Sequence, residues 1–188
     1  MSNTTQSGTP PRLRNYFLAR NRHHEWEEVD WLRVSGFGTM TPPRPIVLVN
    51  GAFDVLHSGH MKIISAARDK ARTLVCALDS DERVRQAKGP GRPIQSWIER
   101  ATTLGYMPID CLVEIASDVE MRKLIKFLKP DLRVQGYDYR NVPSKFPEIK
   151  KMFVRNSGMR TSEIVKRIIK DYEFTKRSEL SGEHQQVS

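Results

Sequence analysis

Cysteine is scarce in this chain, and long apolar runs are missing. Only Cys76 and Cys111 occur in 188 residues, and both lie in apolar segments that read as strands. A disulfide framework or a zinc site is therefore not expected, and each cysteine reads as a buried reduced thiol. The longest apolar runs, residues 46–49 and 74–78, fall far short of the roughly 20 residues that a bilayer span requires. The first ten residues lack the apolar stretch and small-residue cleavage site of a secretory signal, so the expected location is the cytoplasm. With 11 Gly and 11 Pro, collagen-like and low-complexity classes are excluded. Acidic groups are in deficit too, at 22 against 31 basic ones for a net charge of +9. Of those basic groups, 23 fall in residues 46–174. That excess suits a polyanionic ligand, which a nucleoside triphosphate satisfies as readily as nucleic acid.

What is present is a strand–helix alternation. Residues 1–11 read as a tail, and the prolines at 42, 43 and 45 form a stiff linker. Between them Tyr16, Phe17, Leu18, Trp26, Trp31 and Leu32 give apolar anchors without a clean period, so residues 1–45 read as a tail with a small appended segment. From residue 46 the chain reads as one domain to residue 174, followed by a polar tail over 175–188. Strands are expected over 46–50, 73–79, 111–115, 132–135 and 151–155. Helices are expected over 58–72, from the Ser96/Glu99 capping box to about Tyr106, from a second box at Ser117/Glu120 to the stop at Pro130, and along the stripe Ile164, Val165, Ile168, Ile169 and Tyr172. This order predicts an α/β fold, doubly wound and Rossmann-like, with a five-stranded parallel sheet and helices on both faces.

The chemistry is concentrated in residues 51–60, Gly-Ala-Phe-Asp-Val-Leu-His-Ser-Gly-His. They lie between the first strand of the domain and its first helix, where doubly wound folds bind phosphates. Gly51 lets backbone approach a ligand, and Gly59 leaves room between two imidazoles. Ser58 is the expected N-cap. His57 and His60, three apart in the first turn, can aim ring N–H groups at the same anionic oxygens beside the positive end of the helix dipole. A metal would need a third ligand, and none lies close in sequence, so no metal-ligating residue is assigned.

Those residues resemble the His-x-Gly-His signature of the cytidylyltransferase-like nucleotidyltransferases. Three further segments carry the resemblance. Residues 88–93, Lys-Gly-Pro-Gly-Arg-Pro, are similar to the loop of the heptose-1-phosphate adenylyltransferases that make ADP-heptose. Residues 131–139, Asp-Leu-Arg-Val-Gln-Gly-Tyr-Asp-Tyr, are similar to another stretch of that group. Residues 155–162, Arg-Asn-Ser-Gly-Met-Arg-Thr-Ser, look like the Arg-Thr-x-Gly-Ile-Ser-Thr-Thr motif of glycerol-3-phosphate cytidylyltransferase.

The resemblance implies that His57 and His60 hold the triphosphate and stabilise charge at the α-phosphorus, with Lys88 and Arg155 neutralising phosphate oxygens. It places Gly51, Ala52, Phe53, Gly59, Gly136, Asp138, Thr161 and Ser162 at the nucleotide. Asp54 and Arg92 are expected near the acceptor, although Asp54 reads equally well as a loop brace. The chain departs from the pattern where Gln135 replaces a lysine and Arg160 a small hydroxyl residue. The activity implied is transfer of a nucleotidyl group from ATP or CTP to a phosphorylated sugar or polyol, with Mg2+ accompanying the triphosphate. The expected partners are that NTP and that acceptor. Neither a membrane nor nucleic acid is expected, the basic helices lacking interleaved aromatics, and a homodimer stays open.

Overall fold

The computed structural model describes residues 16–20, 26–30, 42–155 and 160–181. Seven strands form one sheet: β1 (Tyr16–Arg20), β2 (Trp26–Asp30), β3 (Ile46–Gly51), β4 (Thr73–Asp79), β5 (Cys111–Ile115), β6 (Leu132–Gly136) and β7 (Lys151–Val154). Their spatial order is β2-β1-β5-β4-β3-β6-β7. The five strands from β5 to β7 are parallel and follow the doubly wound order, with the reversal of direction between β3 and β6. The parallel Rossmann-like core expected from the sequence is therefore present.

The sheet is wider than the sequence pattern indicates. Strands β1 and β2 pair antiparallel, and β1 adds antiparallel to the β5 edge, with Phe17 opposite Val113 and Ala19 opposite Cys111. The anchors Tyr16, Phe17, Leu18 and Trp26 thus belong to a hairpin that lengthens the sheet. Its pairing is a contact distant in sequence, which local periodicity does not encode.

The described residues include five α-helices: α1 (Ser58–Arg68), α2 (Asp81–Lys88), α3 (Trp97–Gly105), α4 (Asp118–Leu128) and α5 (Thr161–Ser181). Strand alternation sends Val47 and Val49 of β3 into one core with Ile64 of α1 and Leu104 of α3, and Ile46 and Leu48 into another with Leu124 of α4 and Phe146. Each buried aliphatic side chain contributes about 1.5–3 kcal/mol.

The helix boundaries hold local corrections. Helix α1 ends at Arg68 rather than Arg72, because the Arg68 guanidinium turns back to the carbonyls of Ala71 and Arg72. The amides of Arg72 and Thr73 already bond Pro45 to start β4. The capping box at Ser96 forms as expected, whereas Glu120 reaches past Ser117 to the Ala116 amide. Strand β7 stops one residue short of Arg155. Helix α5 runs on to Ser181, and Ile168, Ile169 and Tyr172 of its apolar stripe are exposed rather than packed. None of the described helices is long and apolar enough to cross a membrane.

Candidate active site

The C-terminal ends of β3 and β6, at the reversal of strand order, open into a cavity of about 720 Å3. The β3–α1 loop forms its inner wall under visible constraint. Phe53 and Val55 take positive φ values of 47° and 51°, a conformation costly for a β-branched residue and found where surrounding contacts over-determine the backbone. Those contacts are present. Arg100 of α3 is fully buried and donates to the carbonyls of Ala52, Asp79 and Gln95 and to Asp81 Oδ1. The Val55 amide donates to Gln95, and the Thr161 hydroxyl donates to the Asp54 carbonyl at 2.7 Å.

This arrangement engages two residues from which ligand contacts are expected. Asp54 is buried and does not line the cavity. Its carboxylate accepts from Arg92 at 2.7 Å and from the amides of Ile94 and Gln95. Burial alone would raise its pKa, but those amide bonds and the Arg92 guanidinium hold it below the usual carboxylate value. With three donors of the chain on its oxygens and no place in the cavity lining, Asp54 braces the loop. Thr161 reaches the cavity wall, but its hydroxyl is already committed to Asp54.

The N-terminus of α1 presents the histidine pair. His57, not Ser58, is the N-cap: its Nδ1 accepts from the Gly59 amide at 3.1 Å. Accepting at Nδ1 puts the proton of the neutral ring on Nε2, which becomes the free donor. The two imidazoles stack at 3.9 Å between centroids and 29° between planes, with the Phe53 ring 5.2 Å from His60. His60 Nδ1 is buried without a hydrogen-bond partner among the described residues. Burial, His57 and Lys88 press the His60 pKa down to about 3, and burial and Lys88 lower that of His57. Both rings are therefore neutral donors at pH 7.

Lys88, at the end of α2, faces the histidines across the cavity and forms no ion pair among the described residues. Desolvation and Arg92 lower its pKa against the opposing pull of Asp54 and Asp79. The loop after it turns at Gly89 and Gly91, with φ of 91° and 80°, where a side chain would be strained. Arg92 carries the loop back onto Asp54.

Opposite, Gly136 and Asp138 line the cavity, Asp138 pairing with Arg160 at 3.1 Å. Gly51, Ala52, Phe53, Gly59, Arg92 and Ser162 also line it. Arg155 does not; its guanidinium stacks over the Tyr137 ring at 4.9 Å. The wall toward α4 holds groups the motifs did not mark. Arg83 bridges Asp79 at 2.8 Å and Asp118 at 2.7 Å, and Lys145 binds Asp118 at 2.6 Å. Asp79 belongs to this bridge rather than to the start of α2, where Ser80 is the N-cap. Arg133 lines the same wall; a cation between two apolar residues of a strand, Leu132 and Val134, was the available signal.

Neutral ring donors at a helix N-terminus, a facing unpaired lysine and a glycine-rich loop make a site for polyphosphate. The profile of cytidylyltransferase-like proteins matches residues 48–180, which include every one of these elements. The chain belongs to the cytidylyltransferase-like family. Members of this family are nucleotidyltransferases, and the enzyme class read from the motifs agrees with it. Among curated cytidylyltransferase-like relatives, the chain is 40% identical over 129 residues to the bifunctional protein HldE of Campylobacter curvus, covering 66% of this chain and 27% of that protein. It is 38% identical over 127 residues to the HldE of Helicobacter pylori, covering 65% and 27%. The chain thus spans about a quarter of the length of these relatives. Solved structures similar to it include a lipopolysaccharide core biosynthesis protein from Thermoplasma volcanium, at 24% identity and TM-score 0.47, covering 61% of this chain and 98% of that one. Another is a pantoate-beta-alanine ligase from Francisella tularensis, at 14% identity and TM-score 0.47, covering 66% and 64%.

Proposed function

We propose that the protein transfers a nucleotidyl group from ATP or CTP to a phosphorylated sugar or polyol, with a heptose-1-phosphate-like acceptor and ATP as the leading pair. The observation that carries this reading is the stacked, neutral His57–His60 pair at the α1 N-terminus with the unpaired Lys88 facing it. An oxygen of the acceptor phosphate attacks the α-phosphorus in line. The bond from that phosphorus to the β-bridging oxygen breaks, and pyrophosphate leaves with the electron pair. The nucleophile is already anionic near neutral pH, so no general base is required, and positioning and charge stabilisation supply the acceleration.

His57 Nε2 and the His60 ring donate to the oxygens on which negative charge grows, and Lys88 meets them from the loop side. The preference for a sugar phosphate rests on the resemblance of residues 88–93 and 130–139 to the ADP-heptose enzymes. Among the described residues no cluster of three His, Cys, Asp or Glu side chains could hold a metal ion. The residues present therefore suit a magnesium ion carried by the triphosphate oxygens, with Lys88 and the histidines meeting the remaining charge. When bound, it would neutralise phosphate charge.

The test is a pyrophosphate-release matrix of the four NTPs against sugar phosphates, polyol phosphates and riboflavin phosphate. Release with ATP or CTP and a sugar or polyol phosphate is the expected result. Release only with an uncharged acceptor would overturn the acceptor class, and none with any pair would overturn the transfer itself.

A further inference from the structure

Arg133 has no role in the reaction as just described, yet its setting is unusual for a cation. It is the second residue of β6, with 6% of its surface exposed. Its Nε donates to Asn50 Oδ1 at 2.8 Å, and its guanidinium carbon sits 5.4 Å from the centre of the Phe146 ring. Its other N–H groups have no hydrogen-bond partner among the described residues, where it also forms no ion pair. Asp79 and Asp118 on the same wall are held by Arg83 and Lys145. Asp79 and Glu148 act on Arg133 only through space. A guanidinium cannot shed its proton to escape burial, and the terminal nitrogens of Arg133, which are not among the fully buried unpartnered atoms, open on the cavity. Since Arg133 lines the cavity, the missing partner would be an anionic ligand.

Position separates that anion from the triphosphate. Val134 packs into the core beneath α1, while Arg133 turns the other way, onto Phe146 in the core beneath α4. His57 and His60 sit on the α1 side. An anion at Arg133 therefore occupies a different lobe from the phosphates that the histidines hold.

We propose that Arg133 is a second anion subsite of the acceptor lobe, so that the acceptor carries a further carboxylate or phosphate besides its attacking phosphate. This rests on the nucleotidyl-transfer reading. The fork of free guanidinium donors binds that group, Phe146 forms the floor, and Asn50 fixes the fork in place.

The test measures binding of three ligands to the full chain by calorimetry without nucleotide: glucose 1-phosphate, glucuronic acid 1-phosphate and glucose 1,6-bisphosphate. At least one ligand with two anionic groups should bind about tenfold more tightly than glucose 1-phosphate, as one added charge-assisted hydrogen bond implies. Which of the two gains separates a carboxylate from a phosphate. Arg133→Met should erase that preference while leaving glucose 1-phosphate affinity within about threefold, and Arg133→Lys should restore part of it. A purely structural arginine would not change a ratio between ligands. Wild type showing no preference for either ligand with two anionic groups overturns the proposal, and this comparison holds even if Arg133→Met does not fold. Retention of the preference in Arg133→Met overturns it as well. Pyrophosphate release that stays intact while the preference is absent removes only the subsite; no release with any NTP removes the transfer reading.

Discussion

The two walls of the cavity use similar residues in opposite ways. Toward α1, the histidines are neutral and Lys88 has no ion-pair partner among the described residues. Toward α4, Arg83 is clamped between Asp79 and Asp118, and Lys145 closes the chain of charges. The first wall leaves donors unspent, and the second consumes all but those of Arg133. A basic residue near a phosphate site is thus informative only once its partners are known, because a paired cation is scaffold while an unpaired one has capacity for a ligand.

The largest effect that would break this contrast is expected at the histidines. His57→Asn keeps an N-cap side chain and removes the ring, so turnover should fall by about 10² to 10³ with little change in stability, and His60→Ala should lose as much turnover. Steady-state kinetics beside thermal melts check this. Turnover within about threefold of wild type would return the pair to the scaffold.

Asp54→Ala comes next. Removing the carboxylate leaves Arg92 without its partner and frees the loop carrying Lys88, so stability should drop by about 3 kcal/mol, with turnover falling as the loop loosens. Denaturant midpoints decide it. An unchanged midpoint together with a raised acceptor KM would restore Asp54 to the acceptor site.

The pH dependence sharpens the same comparison. His60 has an ordinary pKa of 6.5, lowered to about 3 in the fold, so between those values the unfolded chain takes up a proton that the folded one refuses. Stability should therefore fall as pH drops below 6.5, with this group contributing at most about 1.4 kcal/mol per pH unit. His60→Asn should flatten the slope of urea stability between pH 7 and pH 5. An identical slope in both proteins would show that another group governs it.

Smaller still, His57→Ala should cost about 1 kcal/mol more stability than His57→Asn, because the alanine leaves the Gly59 amide uncapped. Last, Arg85→Ala removes an exposed pair with Glu82 and should leave the denaturation midpoint unchanged, because solvent screens such a pair. A clear fall in the midpoint would mean that the surface of α2 is coupled to the cavity.

Much of this was legible in the residues. The capping boxes at Ser96 and Ser117 and the stop at Pro130 placed α3 and α4, since these signals are local. The string from Gly51 to His60 located the cavity wall, because a strand-to-helix turn fixes its geometry within ten residues. The partners of Asp54, Arg100 and Arg133 were hidden. Asp54 meets Arg92 38 residues on, and Arg133 meets Asn50 83 residues back, separations at which a side chain's partner is set by packing.

By itself, then, the sequence determined the parallel α/β core and the placing of the strand-to-helix turn that carries the histidines, which depend on periodicity and short-range backbone geometry, while the class of chemistry came from the resemblance of its motifs to the family. Only the tertiary structure decided that the N-terminal hairpin extends the sheet at β5, that Asp54 and the Thr161 hydroxyl are consumed by the loop, and that Arg133 is left without an anion. Each of those outcomes turns on which distant groups come within hydrogen-bonding distance, and a buried charge acquires its role from the partner it finds or lacks.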